Sequence, residues 1–232
     1  MRKWFLLGLV LSIVVAVAIP ASALTFWYGG DPNYQEGILS QAGGIGGNTM
    51  IYDDFSTTGT GWNVHTLMGN FYMDYNASQA YYEIRSGVSE GNGGTLVSSG
   101  TFDVTQTYIG SDGGYKVYTL AGNIPAVGLA NGTYWLGLAP VSSSSDTYAY
   151  AAETSGMGSY GSQVGDGKSY FTGSNFGDYF VATAPLSSTG ASKIDFSYGV
   201  MANPYVPVSE PASMLVMGMG ALSLVPFFKK RK

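Results

Sequence analysis

The chain has 232 residues, 45% of them hydrophobic, with 10 Lys+Arg, 15 Asp+Glu and no cysteine. That length suffices for one substantial core, and the missing cysteine excludes disulfide staples, thiolate catalysis and cysteine metal sites. Arg2, Lys3 and the four residues Lys229, Lys230, Arg231 and Lys232 sit at the two ends, leaving Arg85, Lys116, Lys168 and Lys193 against every acidic residue except Glu210. So acidic a body repels phosphate backbones, which argues against nucleic acid as a partner.

Residues 1–23 read as a secretory signal peptide. Arg2 and Lys3 form a charged start, Trp4 to Ile19 an apolar centre, and Pro20 precedes the small-residue site Ala21-Ser22-Ala23. The mature chain is expected to begin at Leu24.

From residue 24 to 205 the pattern is that of short strands closed by Gly, Asn, Asp or Ser. Leu24–Tyr28 opens as a strand, followed by turn material at Gly29-Gly30-Asp31-Pro32-Asn33 and a loop at Gly43-Gly44-Ile45-Gly46-Gly47. Strands are then expected near 49–55, 62–68, 70–75, 79–86, 94–98, 100–108, 114–121, 132–139, 147–152, 168–172, 178–183 and 193–201. In the 132–139 segment, Tyr134, Leu136 and Leu138 share one face by the period of two and should face the core. In the 79–86 segment, Tyr82 and Ile84 point one way, and Tyr81, Glu83 and Arg85 point to a wet face. Gly91-Asn92-Gly93-Gly94 and Ser111-Asp112-Gly113-Gly114 have hairpin-loop chemistry. No window carries a helical period, so the expected fold is an all-β antiparallel sandwich, of jelly-roll type.

Catalytic constellations are sparse. The single histidine, His65, lies in an expected strand with no visible orienting carboxylate or nucleophile. Carboxylate pairs for glycoside hydrolysis are defined by their separation, which sequence does not give. No catalytic residue is assigned, and the chain is read as no enzyme. No organic cofactor is called for; calcium is the one inorganic candidate, because Asp53, Asp54, Asp112 and Asp166 place hard oxygen ligands in or beside Gly-rich loops. Asp-Gly is equally ordinary turn chemistry. Trp27, Trp62 and Trp135 are candidates for stacking on sugar rings, although aromatic residues are also favoured strand formers that pack across strands.

The last stretch, residues 206–232, is an address. Val208-Ser209-Glu210-Pro211 is followed by an apolar span, 214–228, expected to be a hydrophobic helix, and then by the basic cluster Lys229, Lys230, Arg231 and Lys232. The span is at the short edge for crossing a bilayer, which suits a temporary anchor, and the basic end stays cytoplasmic. This tail resembles the PEP-CTERM sorting signal of exosortase-processed bacterial proteins, with Ser209 standing where the first proline of the Pro-Glu-Pro core is usual. The body resembles exported proteins carrying such tails, through Ile51-Tyr52-Asp53-Asp54-Phe55, Glu83-Ile84-Arg85-Ser86-Gly87-Val88, Gly91-Asn92-Gly93-Gly94-Thr95-Leu96 and Gly132-Thr133-Tyr134-Trp135-Leu136.

The resemblance implies Sec-dependent export, transient inner-membrane anchoring, cleavage by a membrane exosortase, and delivery to the cell surface or an exopolysaccharide (biofilm) matrix. It brings no catalytic residues. The expected protein is a non-catalytic surface or matrix component. A carbohydrate-binding module is the first alternative and a secreted glycoside hydrolase the second.

Overall fold

The computed structural model describes residues 25–112, 114–161, 165–174, 177–186 and 194–205. The expected signal peptide, the expected sorting motif Val208–Pro211, the expected helix 214–228 and the terminal basic cluster lie outside the described residues. No helix among the described residues is long and apolar enough to cross a membrane; only a 3-10 turn, Ala184–Leu186, interrupts the strands.

The strands are β1 (Thr25–Tyr28), β2 (Pro32–Leu39), β3 (Thr49–Thr57), β4 (Trp62–Met73), β5 (Gln79–Ser86), β6 (Thr95–Asp103) and β7 (Thr105–Asp112). They continue with β8 (Tyr115–Leu129), β9 (Gly132–Pro140), β10 (Ala149–Thr154), β11 (Tyr170–Gly173), β12 (Gly177–Ala182) and β13 (Tyr198–Pro204). Every pairing between them is antiparallel, in two sheets. Sheet A is centred on β4. One of its edges pairs with β8 throughout, and the other is shared by β13 along Trp62–Gly69 and β10 along Phe71–Met73. Outside these lie β7, β1 and β2. Sheet B has the order β12-β11-β3-β9-β5-β6.

The inner faces meet in one core. Ile51, Ile84, Leu136 and Leu138 of sheet B pack in the same cluster as Leu67, Phe71, Leu120 and Val200 of sheet A. Full burial of each such side chain contributes roughly 1.5–3 kcal/mol. The expected core face Tyr134/Leu136/Leu138 is there, and the Gly91–Gly94 segment joins the antiparallel pair β5 and β6.

Three departures from expectation have local causes. The expected strands 62–68 and 70–75 are one strand, because Gly69-Asn70 is not a turn. A Cβ on Gly69 would come within 2.9 Å of the Phe71 and Tyr198 rings of its own sheet and 3.1 Å of Leu138 in sheet B, so this glycine lets the two sheets approach closely. Asn70, buried, turns its amide outward to Ser197 Oγ (2.6 Å) and accepts from Thr119 Oγ1 (2.6 Å). Secondly, β2 follows directly on the Gly-Gly-Asp-Pro turn as an edge strand. Its first half is irregular: the Asn33 carboxamide accepts from the Gln35 and Glu36 N–H groups, and Tyr34 takes a φ of 57°. Thirdly, the outward face of β5 is not wet: Tyr81, Glu83 and Arg85 are each half-buried.

Candidate functional site

Both sheets carry aromatic residues on their outer faces, and the two faces differ in what covers them. On sheet B, Tyr52 of β3, Gly137 of β9 and Glu83 of β5 form one cross-strand row. Gly137 leaves a gap that the Tyr52 ring fills; a Cβ there would stand 2.7 Å from Tyr52 Cε1. Across this gap Tyr52 donates its hydroxyl proton to Glu83 Oε2 at 2.8 Å, and Tyr81 donates to Oε1 at 3.1 Å. Arg85 donates to the same carboxylate and, through a second nitrogen, to the Gly93 carbonyl at 3.0 Å. Its guanidinium lies 5.8 Å from the Tyr52 ring centre and 5.3 Å from that of Phe180. Burial, then the facing Glu83, push the Tyr52 hydroxyl far above its ordinary value, so it remains a donor.

Beside this network runs a groove of about 580 Å³, lined by Gln41, Met50, Tyr52, Tyr81, Glu83 and Thr172 among others. Among the described residues lining it Glu83 is the one carboxylate, and three donors already hold it. Glycoside hydrolysis requires two carboxylates flanking the scissile bond, which this groove does not present.

Sheet A's outer face buries Tyr72, Val117 and Ala152 in a small cluster and is open around it at Tyr115. Tyr72 of β4 stands opposite Tyr150 of β10 on one side and Val117 of β8 on the other. Tyr115, two residues before Val117, emerges on the same face, as does Tyr148, two residues before Tyr150. The Tyr115 and Tyr148 rings meet edge to face with centroids 5.5 Å apart, and Tyr148 and Tyr150 lie 5.3 Å apart. Gly37 of β2 lets this arrangement close on its flank, since a Cβ there would come within 3.0 Å of the Tyr72 ring.

Tyr115, 46% exposed, stands as a ridge between two hollows. One, of about 270 Å³, is lined by Gln35, Glu36, Tyr72, Asp112 and Tyr150; the other, of about 320 Å³, by Asp74, Asn76, Lys116, Tyr118 and Tyr148. The Tyr72 hydroxyl is buried at the first hollow without a hydrogen-bond partner. Burial, then the charge of Asp112, raise it to about 12. Partly exposed rings thus stand amid carboxylates and carboxamides able to exchange hydrogen bonds with hydroxyl groups.

The sequence-level candidates fall elsewhere. Trp27 is fully buried and packs on Phe55 at 5.6 Å; Trp62, 4% exposed, stacks on the same Phe55 at 6.1 Å. Trp135, 8% exposed, donates its indole N–H to the Lys168 carbonyl at 3.1 Å. None of the three offers an open ring face; the partly exposed rings on sheet A belong to tyrosines that the sequence did not single out. Tyr115 lies next to the Ser111–Gly114 turn, but the meeting of β8 with β4 and β10 is invisible locally.

His65 is the extra residue of a bulge in β4 opposite β13. Its Nδ1 pairs with Thr66 Oγ1 at 2.9 Å, which in turn donates to Asn123 at 2.8 Å.

The aspartates split up. Asp112 belongs to the first hollow on sheet A. Asp53 and Asp54, adjacent in a strand, point to opposite faces. Asp53 turns inward, accepting from the Phe196 N–H at 2.8 Å and the Asp54 N–H at 3.1 Å. Burial, then Asp195, hold its carboxyl well above the usual range. Asp54 turns outward beneath the segment 165–168, where Asp166 lies, and Asp195 borders both positions. Sequence reading missed Asp195, far along the chain from β3.

The fold and surface define an all-β, two-sheet protein with an aromatic platform on one outer face. A comparison with protein-family models matches none of them, and a comparison with curated proteins finds no similar chain.

Proposed function

We propose that this is a non-catalytic exported protein of the cell surface or exopolysaccharide matrix, whose body holds neutral polysaccharide on the Tyr72/Tyr115/Tyr148/Tyr150 platform. The observation that carries the reading is that platform: the partly exposed rings of Tyr115, Tyr148 and Tyr150 set around buried Tyr72, with hydrogen-bonding groups in the hollows either side of Tyr115. A neutral ligand fits best, because Glu36, Asp74 and Asp112 on the rim repel an anionic chain and Lys116 is the one cation among the residues lining the hollows.

In this reading residues 1–23 direct export through the Sec machinery and 24–205 form the jelly-roll-like body. Residues 206–232 act as a PEP-CTERM-type sorting signal that anchors the chain transiently at the inner membrane for an exosortase. Support for the jelly roll comes from the chain's repeated crossing between sheets: β3, β5, β9 and β11 lie in sheet B, with β4, β8 and β10 between them in sheet A.

Affinity electrophoresis through gels containing neutral polysaccharides tests the binding claim. Retardation by at least one neutral polysaccharide, lost in Tyr115→Ala and in Tyr148→Ala, is expected. No retardation across a neutral panel, or retardation undiminished in both variants, would overturn it.

A further inference from the structure

The region where Asp54, Asp166 and Asp195 come together is unrelated to the platform and lies on the other sheet. Asp54 is fully buried, and among the described residues neither of its carboxylate oxygens has a hydrogen-bond donor. Asp195 is 5% exposed; its Oδ1 accepts from the Gly167 N–H at 2.9 Å, while Oδ2 is buried with no donor. Asp54 stands in register with Trp135 of β9, whose indole N–H reaches the Lys168 carbonyl at 3.1 Å, and this brings the 165–168 loop over Asp54; within the loop Asp166 is fixed by the Lys168 N–H on Oδ1 (3.0 Å) and the Lys168 ammonium on Oδ2 (2.6 Å). Buried carboxylate oxygens without donors are strongly unfavourable unless a proton or a cation meets them. With the Lys168 ammonium displaced, the ionised Asp54 and Asp166 carboxylates carry two negative charges, the complement of a divalent ion.

We propose that Asp54 and Asp166 hold one hard divalent cation of the calcium type, which clamps the 165–168 loop onto β3. Among the described residues no group of three or more carboxylates or imidazoles forms a ready-made cage. The ion therefore takes its side-chain ligands from the pair Asp54 and Asp166 alone, and completes its six to eight positions with water and main-chain oxygen. The Lys168 ammonium, on a largely exposed side chain, swings into solvent when the ion enters. Asp53 takes no part, because its oxygens are spent on main-chain N–H groups on the opposite face of β3.

Terbium is the probe, since it replaces calcium and is sensitised by a nearby indole. Trp135 is that indole, hydrogen-bonded to the Lys168 carbonyl within the clamped loop. Expected are terbium emission on tryptophan excitation that calcium competes away, and a melting temperature higher by about 5 °C in millimolar calcium than in chelator. Asp54→Asn should lose both responses. Asp166→Asn, a change at a partly exposed loop residue, should lose them too and serves where Asp54→Asn does not fold. Emission that persists in whichever variants fold would overturn the site. So would the absence of emission together with a melting temperature indifferent to calcium, in which case protons occupy the cluster.

Discussion

The two outer faces of the sandwich are built from the same residue types and end up with opposite properties. On sheet B, Tyr52, Trp135 and Phe180 lie under loops and around an Arg85–Glu83 pair, with their hydroxyl, indole and guanidinium groups committed to partners within the protein. On sheet A, Tyr115, Tyr148 and Tyr150 touch mainly one another and border open hollows. Aromatic content alone therefore says nothing about binding. What distinguishes a platform from a second core is whether polar tips are already satisfied and whether a loop lies on top.

The largest effect that would break this contrast concerns the tryptophans. Trp27→Ala should destabilise the protein by about 3–5 kcal/mol in denaturant unfolding, because the fully buried indole leaves a cavity beside Phe55. A loss of polysaccharide binding without loss of stability would return Trp27 to the role of a sugar-stacking residue. Next in size is Arg85→Ala, which strips the half-buried Glu83 of its cation. Unfolding should become easier by about 1–3 kcal/mol while polysaccharide retardation stays as in the parent protein. Reduced retardation at unchanged stability would show that sheet B is the binding face.

Smaller still is a dependence on pH set by Glu153, which lies on β10 with Oε1 buried and without a donor. Burial, then the facing Glu36, raise its carboxyl from 4.5 to about 7. Between those values the folded state holds a proton that the unfolded chain has released. This contribution is therefore complete below about pH 4.5 and lost as pH rises to about 7. In chelator, melting temperature should fall as pH is raised through this window, and Glu153→Gln should flatten the fall and stabilise the protein at pH 8 by about 1 kcal/mol. An identical pH profile in the variant would contradict the assignment. The smallest stability change belongs to Tyr115→Ala, within about 0.5 kcal/mol in thermal unfolding, since nearly half of that ring is in water; a larger loss would make Tyr115 a packing residue.

Sequence made the strand content legible because alternation and turn chemistry are local. The limits of 79–86 came out as they stand in β5, and the Tyr134/Leu136/Leu138 face was correctly turned inward. Gly69-Asn70 misled because a glycine demanded by sheet-to-sheet contact has the same letter as one demanded by a turn. β2 was hidden by Pro32 and by polar residues, both at home on an edge strand whose partner, β10, lies over a hundred residues away.

The same distance hid the candidate sites. The tyrosine platform depends on β4, β8 and β10 being neighbours, and the aspartate cluster on the 194–197 segment returning beside β3. Neither leaves a spaced motif. Asp53-Asp54 was legible as a pair of acids, but not as one inward and one outward carboxylate until the strand was fixed by its register with β9.

The most direct test of the open-face claim is a map of tyrosine accessibility, by nitration and mass spectrometry, with and without a neutral polysaccharide that retards the protein. The account predicts that Tyr115 and Tyr148 become protected while Tyr160, 63% exposed and packed on Phe26 of β1, is nitrated as before. Protection of Tyr81 in the sheet B groove with Tyr115 and Tyr148 left reactive would contradict it.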